Sequence, residues 1–327
     1  MDKYLAAAGA DLPFHAHGSV LLVVGLVCLF FWWAFTRLGP TLVAPGEVVA
    51  TRRQKQWVFA GVAWTLVWSY WPLHDISEKY LFLVHMLQHS VFTMIAPACF
   101  LLGAPHWLWR WALARSGVVR VLRFLTKPLL ALLIFNGLVA FTHFPGIVER
   151  SLSNESFHFL VHLVLFASAT LMWIPVINRQ PELPVFQKPT KMVYLFAQSI
   201  VPTVPASFLT FKETAMYPTY GAAPRMFQGL NAVEDQQIAA AIMKIGVGSF
   251  IWSIVGYLFF TWWLETKDGR AQDNKRDVVG GPGYNTGSQA RPRVAGMTIQ
   301  GNRVGELTWA DVEAEFERLD SVREPKA

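Results

Sequence analysis

LVHMLQHS, residues 83–90, decides how this chain is read. His85, Gln88 and His89 lie inside a run of mostly apolar residues, 80–104. Polar side chains are costly in hydrocarbon and normally face a bundle interior or a site. His85 and His89 are four residues apart, so on a helix they share a face.

Composition places that run in a membrane. Of 327 residues 53% are hydrophobic and only 15% charged, with 14 tryptophans and 24 phenylalanines and a mean hydropathy of +0.33. One or two soluble domains would fit the length, but the apolar runs point to a polytopic membrane protein. Seven segments are long enough to span: 19–36, 57–73, 80–104, 128–143, 155–177, 191–211 and 238–264, the fourth being the shortest. Lipid leaves open backbone groups unsatisfied and no barrel-like alternation is present, so the spans are expected to be helices. The expected fold is an all-α seven-transmembrane-helix bundle.

Basic residues orient it. Arg37, Arg52, Arg53 and Lys55 follow span one, and Arg110, Arg115, Arg120, Arg123 and Lys127 separate spans three and four. Arg179, Lys188 and Lys191 separate five and six, while Lys267, Arg270, Lys275 and Arg276 follow seven. The opposite side holds only Lys3, Lys79, Arg150, Lys212 and Arg225. The positive-inside rule then puts the N-terminus outside and the C-terminus in the cytoplasm. The net charge of +6 follows from the same asymmetry and calls for no nucleic acid. Span one reads as an uncleaved anchor, since residues 1–18, an exported tail, lack a basic n-region. Cys28 and Cys99 both fall within spans and form no Cys-x-x-Cys, which argues against a disulfide framework or a thiolate metal carrier.

Spans three and five both enter from the outside. At about 1.5 Å per residue, His85, His89, His158 and His162 fall roughly 5–13 Å below that surface. Each pair is His-x-x-x-His, so two parallel helices offer four imidazoles at one level. His74 and Asp75 end span two on the same side, His143 ends span four there, and Asp235 and Met243 begin span seven. His15 and His17 lie in the exported tail, and only His106 belongs to the cytoplasmic side. Neutral imidazole is the commonest protein metal ligand. Paired histidines on facing helices are how a bundle builds a metal or haem site, and thioether beside imidazole favours copper, above all Cu(I). The candidate metal set is therefore His85, His89, His158, His162, Met243 and Asp235. Two other readings stay open: structural packing against carbonyls and serines, and a bis-histidine haem.

Smaller features follow the same logic. Pro202 and Pro205 predict a kink in span six. Lys244 is expected to snorkel. Asn136 and Gln198 suit interhelical hydrogen bonding, and Trp57, Trp71, Trp107, Trp262 and Trp263 suit interfacial belts. The membrane domain is drawn at 19–265, followed by a Gly-rich flexible linker at 266–304. A short amphipathic helix at 305–327 carries Trp309, Val312, Phe316 and Leu319 on one face and acidic residues on the other, which suits a protein partner.

Three stretches carry a family likeness. HMLQHSVFTMIAPACFLLGAP at 85–105, FHFLVHLVLFASATLMWIPV at 157–176 and EDQQIAAAIMKIGVG at 234–248 resemble the polytopic CtaG family of cytochrome oxidase assembly proteins, the seven-span type tied to caa-type oxidases. The likeness covers about residues 20–265. It implies a multi-pass protein of the bacterial cytoplasmic membrane that helps build a haem–copper cytochrome c oxidase, plausibly by delivering or inserting copper. The implied partners are oxidase subunits and an exported copper donor, and no enzymatic turnover is implied. His85, His89, His158 and His162 match the family's paired histidines, and Asp235 and Met243 its last-span motif. His15, His17, His74 and His143 depart from the pattern, as entry ligands or as exposed polar residues. The alternatives are a haem-bearing electron carrier and a copper transporter, the latter disfavoured by the near absence of ionisable residues in the inner halves of the spans.

Overall fold

The computed structural model describes residues 12–178, 180, 182–183 and 185–279. Among them there are helices and no strands. In chain order these are α1 (Gly18–Leu42), α2 (Arg52–Ser69), α3 (Leu73–Lys79), α4 (Phe82–Gly103), α5 (His106–Ala112), α6 (Ser116–Leu125) and α7 (Pro128–Thr142). Then come α8 (Pro145–Ser153), α9 (Glu155–Ile177), α10 (Lys188–Ile200), α11 (Thr203–Phe211) and α12 (Pro218–Ala222). The last, α13, runs Ala232–Ala241, passes through a π-helical turn at Ile242–Gly246 and continues over Val247–Val279.

Among the described residues five helices are long and apolar enough to cross a membrane: α1, α4, α9, α10 with α11, and α13 through Asp268. The pair α6 and α7, bent by 72° at the break between them, would make a sixth. The expected second span is α2, whose first turn holds Arg52, Arg53 and Lys55 and whose helix stops at Ser69, which shortens its apolar length. Large apolar side chains such as Leu22, Leu29, Phe208, Phe211 and Phe260 are exposed on these helices. Such a surface suits lipid, and the chain is an all-α membrane protein. The boundary drawn at 265 falls inside α13, which stays helical to Val279. The segment TKDGRAQDNKRD has enough helix-favouring Lys, Arg, Gln and Ala to carry on past the apolar part. The first compact unit ends at Arg270, and the acidic helix expected at 305–327 lies outside the described residues.

Helix starts follow local chemistry. Thr51 and Gln54 form a reciprocal capping box on α2, as Asn231 and Glu234 do on α13, and the Asn154 side chain accepts from Phe157 N–H on α9. For α4 the cap comes from elsewhere, since Leu81 offers no acceptor. The Asp235 carboxylate accepts from Phe82 N–H at 2.8 Å and Leu83 N–H at 3.0 Å, fully buried, and so pins the start of α4 to α13.

Prolines inside the spans also find compensation. Pro97 has no N–H to give the Thr93 carbonyl four residues back, and the Trp173 indole N–H from α9 donates to it at 2.9 Å. Span six is interrupted where its prolines lie. The helix breaks between α10 and α11, where Val204 N–H, one residue ahead of Pro205, bonds the Val201 carbonyl at 3.1 Å. Asn136 on α7 donates to Gln198 on α10 at 2.6 Å, the interhelical bond their depth predicted.

Replacing Asp235 with Ala strands two buried donors at the head of α4. The expected loss is about 2–4 kcal/mol, read as a lower melting temperature of the detergent-solubilised protein, with Asp235→Asn losing less because one acceptor survives. An unchanged melting temperature in the alanine variant would contradict this cap.

Candidate metal centre

α9 packs against α4 most closely over Val91–Gly103, and the two His-x-x-x-His faces meet toward the N-terminal ends of these helices. Nε2 of His158 lies 2.9 Å from Nε2 of His162, which lies 3.1 Å from Nε2 of His89. The His85 ring is 4.4 Å from His89, 5.9 Å from His158 and 6.2 Å from His162, centroid to centroid. All four histidines named from the sequence therefore converge, two from each helix. Rings this close leave no gap for a porphyrin between them.

The neighbours set which nitrogens carry protons. Glu78 Oε1, from α3, is 2.5 Å from His158 Nδ1 and 3.3 Å from His74 Nε2. The carboxylate accepts from His158, with His74 a charge neighbour only, so in the neutral ring of His158 the lone pair is on Nε2 and points into the cluster. Gln88, with no exposed surface, holds the other side of His74. Its amide donates to His74 Nδ1 at 3.0 Å and to the Trp68 carbonyl at 2.9 Å, while its oxygen accepts from Ser77 at 2.8 Å. Burial pushes His74 down to about 4, against the opposing pull of Glu78, so this ring is neutral at neutral pH.

With His158 Nε2 an acceptor, the proton in the chain of three belongs to His162 Nε2. One N–H is then shared between two acceptors, and His85 Nδ1 is buried with no hydrogen-bond partner at all. Among the described residues no three His, Cys, Asp or Glu side chains already stand at the spacing of a closed metal site. The rings are instead drawn together by hydrogen bonds. Two nitrogens on one tetrahedral ion at about 2.0 Å would be about 3.3 Å apart, so a few tenths of an ångström of opening would convert the chain into ligands. The donor set fits a cation: among the three facing Nε2 atoms two lone pairs share one proton, and His85 Nδ1 has no partner.

The other predicted residues are placed differently. Met243 is buried, on the π-helical turn of α13. It lines a cavity of about 50 Å³ beside the cluster, together with His89, His143 and Met86. Asp235 does not join the imidazoles. Both its oxygens are taken by backbone N–H groups at the head of α4, and its role is to position the helix that carries His85 and His89. His17 packs 4.5 Å from His74 and bonds Asp75 at 2.8 Å; His15 is 3.3 Å from Asp75. Asp75 is also bonded by Lys79 at 2.7 Å, so its charge is already matched. His106 is elsewhere, against Gln180 at 2.8 Å.

Glu78 and Gln88 are the functional neighbours that sequence reasoning missed. The signal for Glu78 was its place four residues after His74 on one short helix, HDISE, and Gln88 was noticed only as out of place in an apolar run. Nitrogen NMR of histidine-labelled, metal-free protein should show His158 with its proton on Nδ1. Glu78→Leu should abolish that preference, and a His158 signal unaffected by the substitution would contradict the tautomer assigned here.

The model of the cytochrome c oxidase caa3 assembly factor family (Caa3_CtaG) matches residues 29–265. No curated protein and no solved structure matches the chain. The matched region contains the four clustered histidines together with Glu78, Gln88, Asp235 and Met243. It covers well over half of the sequence, and the chain belongs to the cytochrome c oxidase caa3 assembly factor family.

Proposed function

We propose that this assembly factor handles copper for the oxidase, holding it as Cu(I) among His85, His89, His158 and His162. The observation that carries the reading is the chain of three Nε2 atoms at 2.9 and 3.1 Å, with the His158 lone pair aimed inward by Glu78. Imidazole accepts several metals, so charge narrows the choice. Among the described residues Glu78 is the one carboxylate in hydrogen-bonding contact with the cluster. A monovalent ion plus this carboxylate is neutral overall, whereas a divalent ion would leave a net charge in a low-dielectric bundle, which is costly. Without thiolates the ion would exchange readily, as a carrier requires.

In this reading the chain crosses the bacterial cytoplasmic membrane seven times. α2 and α7 are the two spans beyond the five apolar helices, and the N-terminus is outside. The histidine cluster then lies just beneath the exported face. Copper arrives from an exported donor protein and passes to an oxidase subunit docked alongside. The chain's own residues do three things: Glu78 and Gln88 fix the rings, the neutral imidazoles supply lone pairs, and the apolar walls exclude water. No bond of a substrate is made or broken, so the protein acts as a carrier and not as an enzyme.

Purified protein titrated with Cu(I) against a competing chelator should bind stoichiometrically. The variant with alanine at all four histidines should lose the equivalent held by the cluster, and Glu78→Gln should weaken that equivalent about 10–100-fold, while His106→Ala should not. Cells carrying only the four-alanine variant should make oxidase with reduced copper content. Normal oxidase copper in those cells would overturn the copper role.

A further inference from the structure

His143 caps the end of α7 and is not part of the four-histidine cluster, although its ring is 6.3 Å from His89. Its Nδ1 is 2.6 Å from the Val139 carbonyl, an acceptor only. That contact requires the proton on Nδ1, so in the neutral ring Nε2 is a bare lone pair. This lone pair faces the Met86 thioether, with Nε2 to Sδ at 3.4 Å. A thioether sulfur has no proton to give. Two electron-pair donors thus look at each other with no hydrogen between them.

The surroundings say what belongs there. The pair borders the cavity of about 50 Å³, whose walls also hold Met94, Met172, Met243 and His89. Four of the nine methionines of the chain line this one space. No carboxylate lines it, so nothing offsets a divalent charge. Methionine often fills core gaps without further purpose, but core filling does not account for an imidazole lone pair turned toward sulfur. A nitrogen at about 2.0 Å and a sulfur at about 2.3 Å from one ion at a near-tetrahedral angle are about 3.4–3.6 Å apart, the separation found. Thioether with imidazole is the donor set of a soft monovalent cation.

We infer that His143, Met86 and Met243 form a second site for a soft monovalent metal ion, Cu(I) by chemistry, separate from the four-histidine cluster. His89 borders both sites, so an ion can pass between them without leaving the bundle; that transfer, unlike the second site itself, rests on the function proposed above. π-helical turns follow His89 at Val91–Ile95 and carry Met243 at Ile242–Gly246. Such turns often mark functional positions in helices, and here one flanks each wall of the cavity.

The test is X-ray absorption on the full-length protein in detergent, loaded with two equivalents of Cu(I). The copper edge should show a nitrogen shell together with a sulfur shell at about 2.3 Å. The Met86→Leu/Met243→Leu variant, nearly volume-conserving, should lose the sulfur shell and one equivalent of copper while keeping the nitrogen-only ion. The variant with alanine at His85, His89, His158 and His162 should keep the sulfur-bound ion. Selenomethionine-substituted protein of unchanged sequence gives a check that does not depend on any variant folding: copper should appear as a neighbour at the selenium edge. A wild-type spectrum without sulfur, or selenium without copper beside it, overturns the second site and leaves the histidine cluster standing. Unchanged copper binding in the four-alanine variant, with sulfur still present, overturns the cluster and leaves this site standing.

Discussion

In an apolar bundle a polar side chain has no water to turn to and must find its partner inside the protein. That constraint organises this molecule. The head of α4 lacks a local cap, and Asp235 reaches across from α13 to supply it. Pro97 deprives a carbonyl of its donor, and Trp173 replaces it. Asn136 and Gln198 bond across α7 and α10, and Gln88 uses both amide protons and its oxygen to tie α4 to α2 and α3. Each pairing locks a helix register that apolar packing alone would leave loose, because side chains such as Leu, Ile and Phe fit against one another in several arrangements.

Against that background the pairing fails to close at several buried atoms, among them Asn136 Oδ1, Gln198 Nε2 and the Trp68 and Trp71 indole nitrogens, and the histidines are where imidazoles gather around such a gap. Glu78 satisfies His158 and Gln88 bonds His74, but one His162 N–H serves two acceptors and His85 Nδ1 has none. The same holds for the lone pairs of His143 and Met86. A surplus of lone pairs thus collects in two adjoining places. The surplus is a cost to the metal-free protein, and a cation relieves it. The helices that carry the donors are held by contacts that do not involve the donors themselves: Asp235 for α4, Asn154 for α9. Exchange of an ion need not disturb the scaffold.

The membrane class and the meeting of His85, His89, His158 and His162 were legible in the sequence. Hydropathy and the four-residue spacing are local properties, and two spans entering from one side must bring equal depths together. The span count was less so: α2 and α7 are helices where expected, yet one starts with three basic residues and the other is 15 residues long after a sharp bend. Asp235 was assigned to a metal because it shares the depth of the histidines. Depth says nothing of rotation about the helix axis, and Asp235 turns toward a helix terminus instead. For the same reason Glu78 and the His143–Met86 contact could not be read from spacing, since each joins residues on different helices whose rotation only packing decides. Met86, adjacent to His85, points to another wall of α4, and that wall proved to be the methionine-lined one.

The copper reading stands on imidazoles from α4 and α9 sharing one ion. A crystal structure of the protein soaked with silver, a redox-inert stand-in for Cu(I), and recorded for its anomalous signal tests it most directly. An anomalous peak is expected between His89, His158 and His162, with the Nε2 atoms moved apart from their hydrogen-bonded spacing to ligand spacing. Silver found only at the protein surface, with the three rings still hydrogen-bonded to one another, would contradict it.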